Sequence, residues 1–212
     1  MPSDLVSLAD ASQLLGVSAE RVRQLVVAGD LPGVRFGNAW AVPRDAVAAR
    51  QQVSNRRGRP LGEKRAWDAL AASEVDLSNV SRYRNRGEVH RYSMSAAGAA
   101  HLVSEAGAIQ SGVAAAVFHG ELLRVEGTQI DLYVSRQLHE ALGSIVPAVA
   151  DPLGSVVLRV ISDGRWSEVN ELSAISDDGS LVAPPAAVAL DLMDSGDPRH
   201  WIAAESLARA HD

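Results

Sequence analysis

Residues 7–43 read SLADASQLLGVSAERVRQLVVAGDLPGVRFGNAWAVP. Ser7 supplies a hydroxyl at a helix N-cap and Asp10 a carboxylate three residues on, a variant of the capping box. Leu8, Ala11, Leu14 and Leu15 follow at helical spacing until Gly16, a residue suited to a left-handed C-terminal cap. Ser18 then caps a second helix whose Val22, Leu25 and Val26 share one face, and Gly29 ends it ahead of Leu31-Pro32. Two short helices joined by a Gly-Val-Ser turn predict a helix-turn-helix. Val34-Arg35-Phe36 and Ala39-Trp40-Ala41-Val42 are β-prone and separated by Gly37-Asn38, which suits a two-residue hairpin turn and predicts a wing. Pro43 opens a short helix through Ala49.

This order of helix, turn, helix, hairpin and helix, with Leu-Pro-x-x-Arg leading into the hairpin, resembles the excisionase-like branch of the MerR winged-helix domains over roughly residues 5–52. The resemblance implies binding to duplex DNA. On the second helix the face away from Val22, Leu25 and Val26 presents Glu20, Arg21, Arg23, Gln24 and Val27. Arginine pairs with guanine and glutamine with adenine in the major groove, while Ser18 and the helix N-terminus are placed for phosphate. Arg35 and Asn38 are the expected backbone or minor-groove contacts of the wing, and Trp40 is expected to pack beneath it. The alternative for these polar residues is a solvated face. The metal- and drug-sensing MerR proteins continue into a long coiled coil; here no sustained heptads follow Arg50.

Of the 212 residues 47% are apolar, enough to bury a core, and there are no cysteines, which excludes disulfides, thiolate metal sites and a Cys nucleophile. No cofactor and no metal are expected. The net charge of −6 is unevenly spread: residues 1–92 carry +4 and residues 93–212 carry −10. A basic end is expected to meet phosphate and an acidic end something else. The opening Met1-Pro2-Ser3-Asp4 has no basic region before an apolar stretch, and the longest apolar run, Val113 to Phe118, is far short of the roughly 20 residues of a membrane helix. A cytoplasmic location, with no membrane partner, is expected.

Between Arg50 and Arg65 six basic residues face the single acid Glu63, which reads as an electropositive linker. Within it Arg57-Gly58-Arg59-Pro60 matches the centre of AT-hook motifs, whose arginines lie along a narrow minor groove; a plain tether is the other reading. Trp67 and Leu70 mark a helix, Asp76-Leu77-Ser78 a further helix start, and Arg82, Arg84, Arg86, His90 and Arg91 add surface for phosphate or for solvent. The chain therefore divides into a winged helix-turn-helix at 1–54, a basic helical connector at 55–93 and an acidic domain at 94–212.

The acidic part alternates helical and strand-like segments, giving an α+β class: Ser95 to Glu105 helical, Val113 to Phe118 undecided, Ile130 to Val134 a strand, Arg136 to Leu142 helical, Val156 to Ile161 a strand, and helices at Ala186 to Ser195 and from Asp197 to about Ala210. No catalytic motif is present: no Gly-x-Ser-x-Gly, no phosphate-binding glycine loop, no His-Glu-x-x-His. Asp191, Asp194 and Asp197 recur at intervals of three and are candidates for contact with a basic partner, or a solvated acidic face.

Gly58-Arg59-Pro60-Leu61, Ser111-Gly112-Val113, Val156 to Val160, Ala183-Pro184-Pro185 and Gly196-Asp197-Pro198-Arg199 together resemble the antitoxin and regulator half of AbiE-type toxin and antitoxin pairs. That resemblance implies a repressor of its own operon whose C-terminal domain counters a nucleotidyltransferase-like toxin. An excisionase-like architectural factor is the competing reading, and an enzyme localised by its DNA domain a third.

Overall fold

The computed structural model describes residues 5–37, 39–54, 60–125 and 129–209. Its N-terminal unit consists of β1 (Leu5–Ser7), α1 (Leu8–Leu15), α2 (Ala19–Val27), β2 (Val34–Phe36), β3 (Ala39–Pro43) and α3 (Arg44–Ser54). The caps form as expected: the Ser7 hydroxyl accepts from the Asp10 N–H at 3.1 Å, and the Ser7 N–H donates back to the Asp10 carboxylate at 3.4 Å. Gly16 takes the left-handed conformation (φ 65°) that lets the turn close at no steric cost. Ser18 accepts from the Arg21 N–H at 3.2 Å.

The hairpin pairs Val34 with Ala41 and Phe36 with Ala39, and β1 adds a third strand on the far side of β3, with Val6 opposite Val42. That strand is too short for an alternating pattern to reveal it. Val6, Ala11, Val22, Leu25, Val26, Leu31, Val42 and Val47 form the core of the unit, and Trp40 packs against it beneath the wing as expected.

Beyond it come α4 (Glu63–Ala71), a 3-10 helix (Leu77–Tyr83), β4 (Glu88–Ser93), α5 (Ala96–Ser104), β5 (Ile109–Ser111), α6 (Gly112–Phe118), β6 (Ile130–Ser135), α7 (Arg136–Ile145), β7 (Val149–Ala150), β8 (Val156–Ile161), α8 (Asp163–Glu171), β9 (Ala174–Ile175), β10 (Leu181–Val182), α9 (Pro185–Asp194) and α10 (Pro198–Arg209). The strands form one sheet in the order β7-β4-β8-β6-β5-β10-β9. β8 runs parallel to β6 and antiparallel to β4, and all six of its residues are buried.

Strand periodicity sorts the two cores. On β6 and β8, Leu132, Val134, Val156, Leu158 and Val160 face α5 and α7. Tyr133 and Ile161 face the opposite side, where α4, α6, α9 and α10 supply Trp67, Leu70, Val113, Leu190, Leu192 and Leu207. Helices cover both faces, and the class is α+β with an N-terminal winged helix-turn-helix. The run 113–118, undecided in the sequence, is helical. Among the described residues no helix is long and apolar enough to cross a membrane.

The division of the chain needs one correction. Residues 60–93 are no connector: Trp67 and Leu70 lie in the larger core, and β4 is an interior strand between β7 and β8. The C-terminal domain therefore begins near residue 60, not 94. The density of arginine in this stretch hid the burial of Trp67, Leu70, Val80 and Tyr83.

Candidate nucleic-acid interface

The apolar face of α2 is fixed by Val22, Leu25 and Val26, so the other face turns outward. Arg21, Arg23 and Gln24 are exposed on it, as is Val27 at 63%. Ser18, exposed at the helix start, spends its hydroxyl on the cap, leaving the surrounding N-terminal amides to meet an anion. Arg23 grips Glu20 in a fork, Nε to Oε2 at 2.9 Å and Nη2 to Oε1 at 2.8 Å, while Arg21 donates from Nη1 to the Gln24 amide oxygen at 3.3 Å. The Glu20 carboxyl is held below its usual range by the hydrogen bond from Arg23. Such exposed pairs are weak and yield readily to a phosphate or a guanine edge, which takes the same fork.

On the wing, Arg35 donates from Nε to the Gly37 carbonyl at 2.8 Å, which orients its guanidinium at the hairpin tip. Asn38, Arg57 and Arg59 lie outside the described residues. Phe36, 59% exposed beside Arg35, was not singled out in the sequence. An apolar residue on the outer strand of a three-residue hairpin is the signal that would have found it, and such side chains contact thymine methyls or groove walls.

The acidic candidates fall elsewhere. Asp191 is fully buried, its carboxylate meeting Arg86 Nη2, Arg159 Nε at 2.7 Å and the Ser111 hydroxyl at 2.5 Å. Asp194 is clamped between Arg86 at 2.6 Å and Arg159 at 3.0 Å. Asp197 caps α10 and pairs with Arg199 at 2.5 Å, whose hydrogen bonds bring its carboxyl down to about 2. The expectation of an outward acidic residue is thus overturned for Asp191, which packs on the sheet, while Asp194 at the end of the helix stays solvent-accessible beside its two arginines. Arg86, expected to face phosphate, is as buried as Asp191. Its Nε also donates to the Tyr133 hydroxyl at 3.1 Å and its Nη1 to the Tyr83 carbonyl at 3.2 Å.

Burial pushes the Asp191 carboxyl up, but Arg159 and Arg86 outweigh it and hold the group below its usual range. Asp131, on the adjoining strand β6, has no such partner at ion-pair distance among the described residues. Burial and the neighbouring Asp191 charge push it up to about 6, against hydrogen bonds from Gln129 at 2.9 and 3.0 Å. Gly112 is required beside it, since φ is 60° and a Cβ there would sit 2.6 Å from the Asp131 carboxylate. A group whose folded pKa is raised contributes stability at low pH and loses it as pH rises through the folded value. Asp131→Asn is therefore expected to melt later than the wild type at pH 8, by on the order of 2 kcal/mol, with the gap closing below about pH 4. Denaturation curves at several pH values check this; a constant gap would refute it.

Helix, turn, helix and three-stranded wing, with a polar face on the second helix, define a winged helix-turn-helix DNA-binding domain. Residues 5–52 match a protein family described as helix-turn-helix domain. No curated protein matches the chain.

Proposed function

We propose that the chain is a transcriptional repressor that binds operator DNA, that of its own promoter, by laying α2 in the major groove and the wing beside it. The observation that carries this is the outward face of Arg21, Arg23 and Gln24 on a helix whose inner face is fully committed to the core. In the finer reading the protein is the antitoxin of a toxin-antitoxin operon and counters a nucleotidyltransferase-like toxin. The segment likeness over residues 55–210 supports that reading, as does a C-terminal domain that carries no recognisable catalytic motif and so reads as a binding partner rather than an enzyme. Its work is cytoplasmic, where the operator lies. With Asp191 internal, Asp194 and Asp197 are the two of the three acids left near the surface for a toxin. An excisionase-like architectural role would leave the seven-stranded domain without a use.

Replacing both Arg21 and Arg23 with Ala is expected to weaken binding to the native upstream region by roughly 5- to 150-fold for each arginine that reads a base. The reduction would be uniform across sequences for residues that hold phosphate. Fluorescence anisotropy on the upstream duplex and on a scrambled one, at fixed salt, separates the two. Unchanged affinity in the double variant would sink the assignment. Protection of cells against the neighbouring toxin, measured with the same variant, separates antitoxin action from repression.

A further inference from the structure

A cavity of about 190 Å3 lies where the winged helix meets the C-terminal sheet. The loop after α2 and helix α3 form one wall, and the 3-10 helix, β4, β8 and the end of α9 form the other. The walls meet closely: a Cβ at Gly29 would lie 3.2 Å from the Val89 carbonyl. Four guanidiniums, those of Arg50, Arg84, Arg91 and Arg159, line the space against two carboxylates, those of Asp30 and Asp194.

The partners of these arginines decide what the cavity wants. Arg159 is neutralised by Asp191 and Asp194. Arg50 donates to the backbone carbonyl of Asp30 at 2.9 Å, and Arg91 to the Gln129 amide oxygen at 2.8 Å, both neutral acceptors. The Nε of Arg91 is buried and has no hydrogen-bond partner among the described residues. Arg84 forms no ion pair among the described residues. None of these three guanidiniums, Arg50, Arg84 and Arg91, is ion-paired among the described residues; Asp30 and Asp194 act on Arg50 and Asp131 and Asp194 on Arg91 from a distance, and burial pushes both guanidiniums down from their ordinary values despite them. Half-buried cations held by neutral acceptors gain most from an anion placed between them, because the low dielectric strengthens the attraction.

We propose that this junction binds a small phosphate monoester, its phosphate held between Arg50 of the winged helix and Arg91 of the sheet. The net positive charge of the wall suits the negative charge of such a group at neutral pH. Guanidinium forks suit its tetrahedral oxygens. A volume of about 190 Å3 accommodates a molecule of small sugar-phosphate size. Because Gly29 and Asp30 continue directly from α2, a ligand bridging Arg50 and Arg91 also sets how the recognition helix is held against the C-terminal domain. Binding of the anion itself does not depend on the DNA reading; only its effect on the operator does.

The test uses the full chain without DNA, titrated with glycerol 3-phosphate and inorganic phosphate, with glycerol and chloride at matched ionic strength as controls. A saturable rise in melting temperature that grows with the logarithm of ligand concentration is expected with the two phosphates only. Arg50→Gln and Arg91→Gln should each weaken the apparent affinity about tenfold or more, while Arg209→Gln, which removes a charge elsewhere, leaves it unchanged. Should either glutamine variant fold poorly by circular dichroism, Arg50→Lys and Arg91→Lys keep the charge but lose the fork and are expected to weaken binding as well. Operator affinity, followed at constant ionic strength, should then change with glycerol 3-phosphate. A melting shift without operator binding would keep the ligand site and overturn the DNA reading. An equal shift with chloride, or undiminished affinity in both the Arg50 and Arg91 variants, would mean an adventitious ion only and overturn the site.

Discussion

Asp191→Ala is expected to destabilise the chain by about 3–5 kcal/mol, because it leaves two buried guanidiniums, Arg86 and Arg159, sharing the single remaining carboxylate of Asp194. The cost of an uncompensated buried charge exceeds the value of the pair itself. Arg86→Met combined with Asp191→Leu is therefore expected to be less damaging than Asp191→Ala alone. The double variant removes one charge of each sign, and Arg159 and Asp194 stay paired at 3.0 Å. Urea denaturation of the three proteins checks the order; a single variant within about 1 kcal/mol of wild type would show that the network carries little. The acid limb supplies a second check. The folded pKa of Asp191 is depressed, so its contribution is present above the unfolded value of 3.8 and lost as pH falls below it through the folded one. Wild type should lose stability steeply below about pH 4, and the double variant less so.

The network also shows what a sequence offers and withholds. The caps of α1 and α2, the wing hairpin and strand β8 were all legible, because each is fixed by neighbours within a few residues. Strand β1 was not, since it holds three residues and owes its place to β3, 36 or so positions away in register. Strand β4 hid for another reason: Glu88-Val89-His90-Arg91-Tyr92 alternates weakly, because one face meets a polar junction instead of a core. The acidic triplet misleads through its spacing, which identifies a face without saying what the face meets. A stronger signal stands beside it. Asp191 lies inside Val188-Ala189-Leu190-Asp191-Leu192, and Arg159 inside Val156-Val157-Leu158-Arg159-Val160-Ile161. One acid and one base, each embedded in an apolar run, point to a buried pair, because an isolated charge there would be prohibitively costly. For the DNA face the reverse holds: its residues are legible as outward, yet the Glu20 fork on Arg23 could not be chosen over other i,i+3 partners without the rotamers.

The sheet order makes the largest effect of all a matter of where the chain is cut. A piece beginning at Ser93 is expected not to fold, whereas a piece beginning at Pro60 is expected to melt cooperatively. The first lacks nearly all of β4, which pairs with β8 from Glu88 to Tyr92, and so bares one long edge of a wholly buried strand. It also lacks Trp67, whose indole donates to the Arg86 carbonyl at 2.7 Å and whose ring stands edge-on to Tyr133 at 5.3 Å between centroids. Losing a buried tryptophan alone costs about 3–5 kcal/mol, comparable to the roughly 5–15 kcal/mol that holds a domain together, and here Leu70, Val80, Tyr83 and the counter-charge Arg86 leave with it. Circular dichroism melts and amide-exchange protection of residues 93–212 and 60–212 decide the matter, and a cooperative transition in the shorter piece would refute it. The N-terminal side follows the same logic. Its core of eight buried side chains is small for an independent unit, and its α3 is tied to the loop after α2 through Arg50 and the Asp30 carbonyl. DNA binding by an isolated piece ending at residue 54 is accordingly expected to require lower temperature than binding by the full chain, where the C-terminal sheet backs the end of α2.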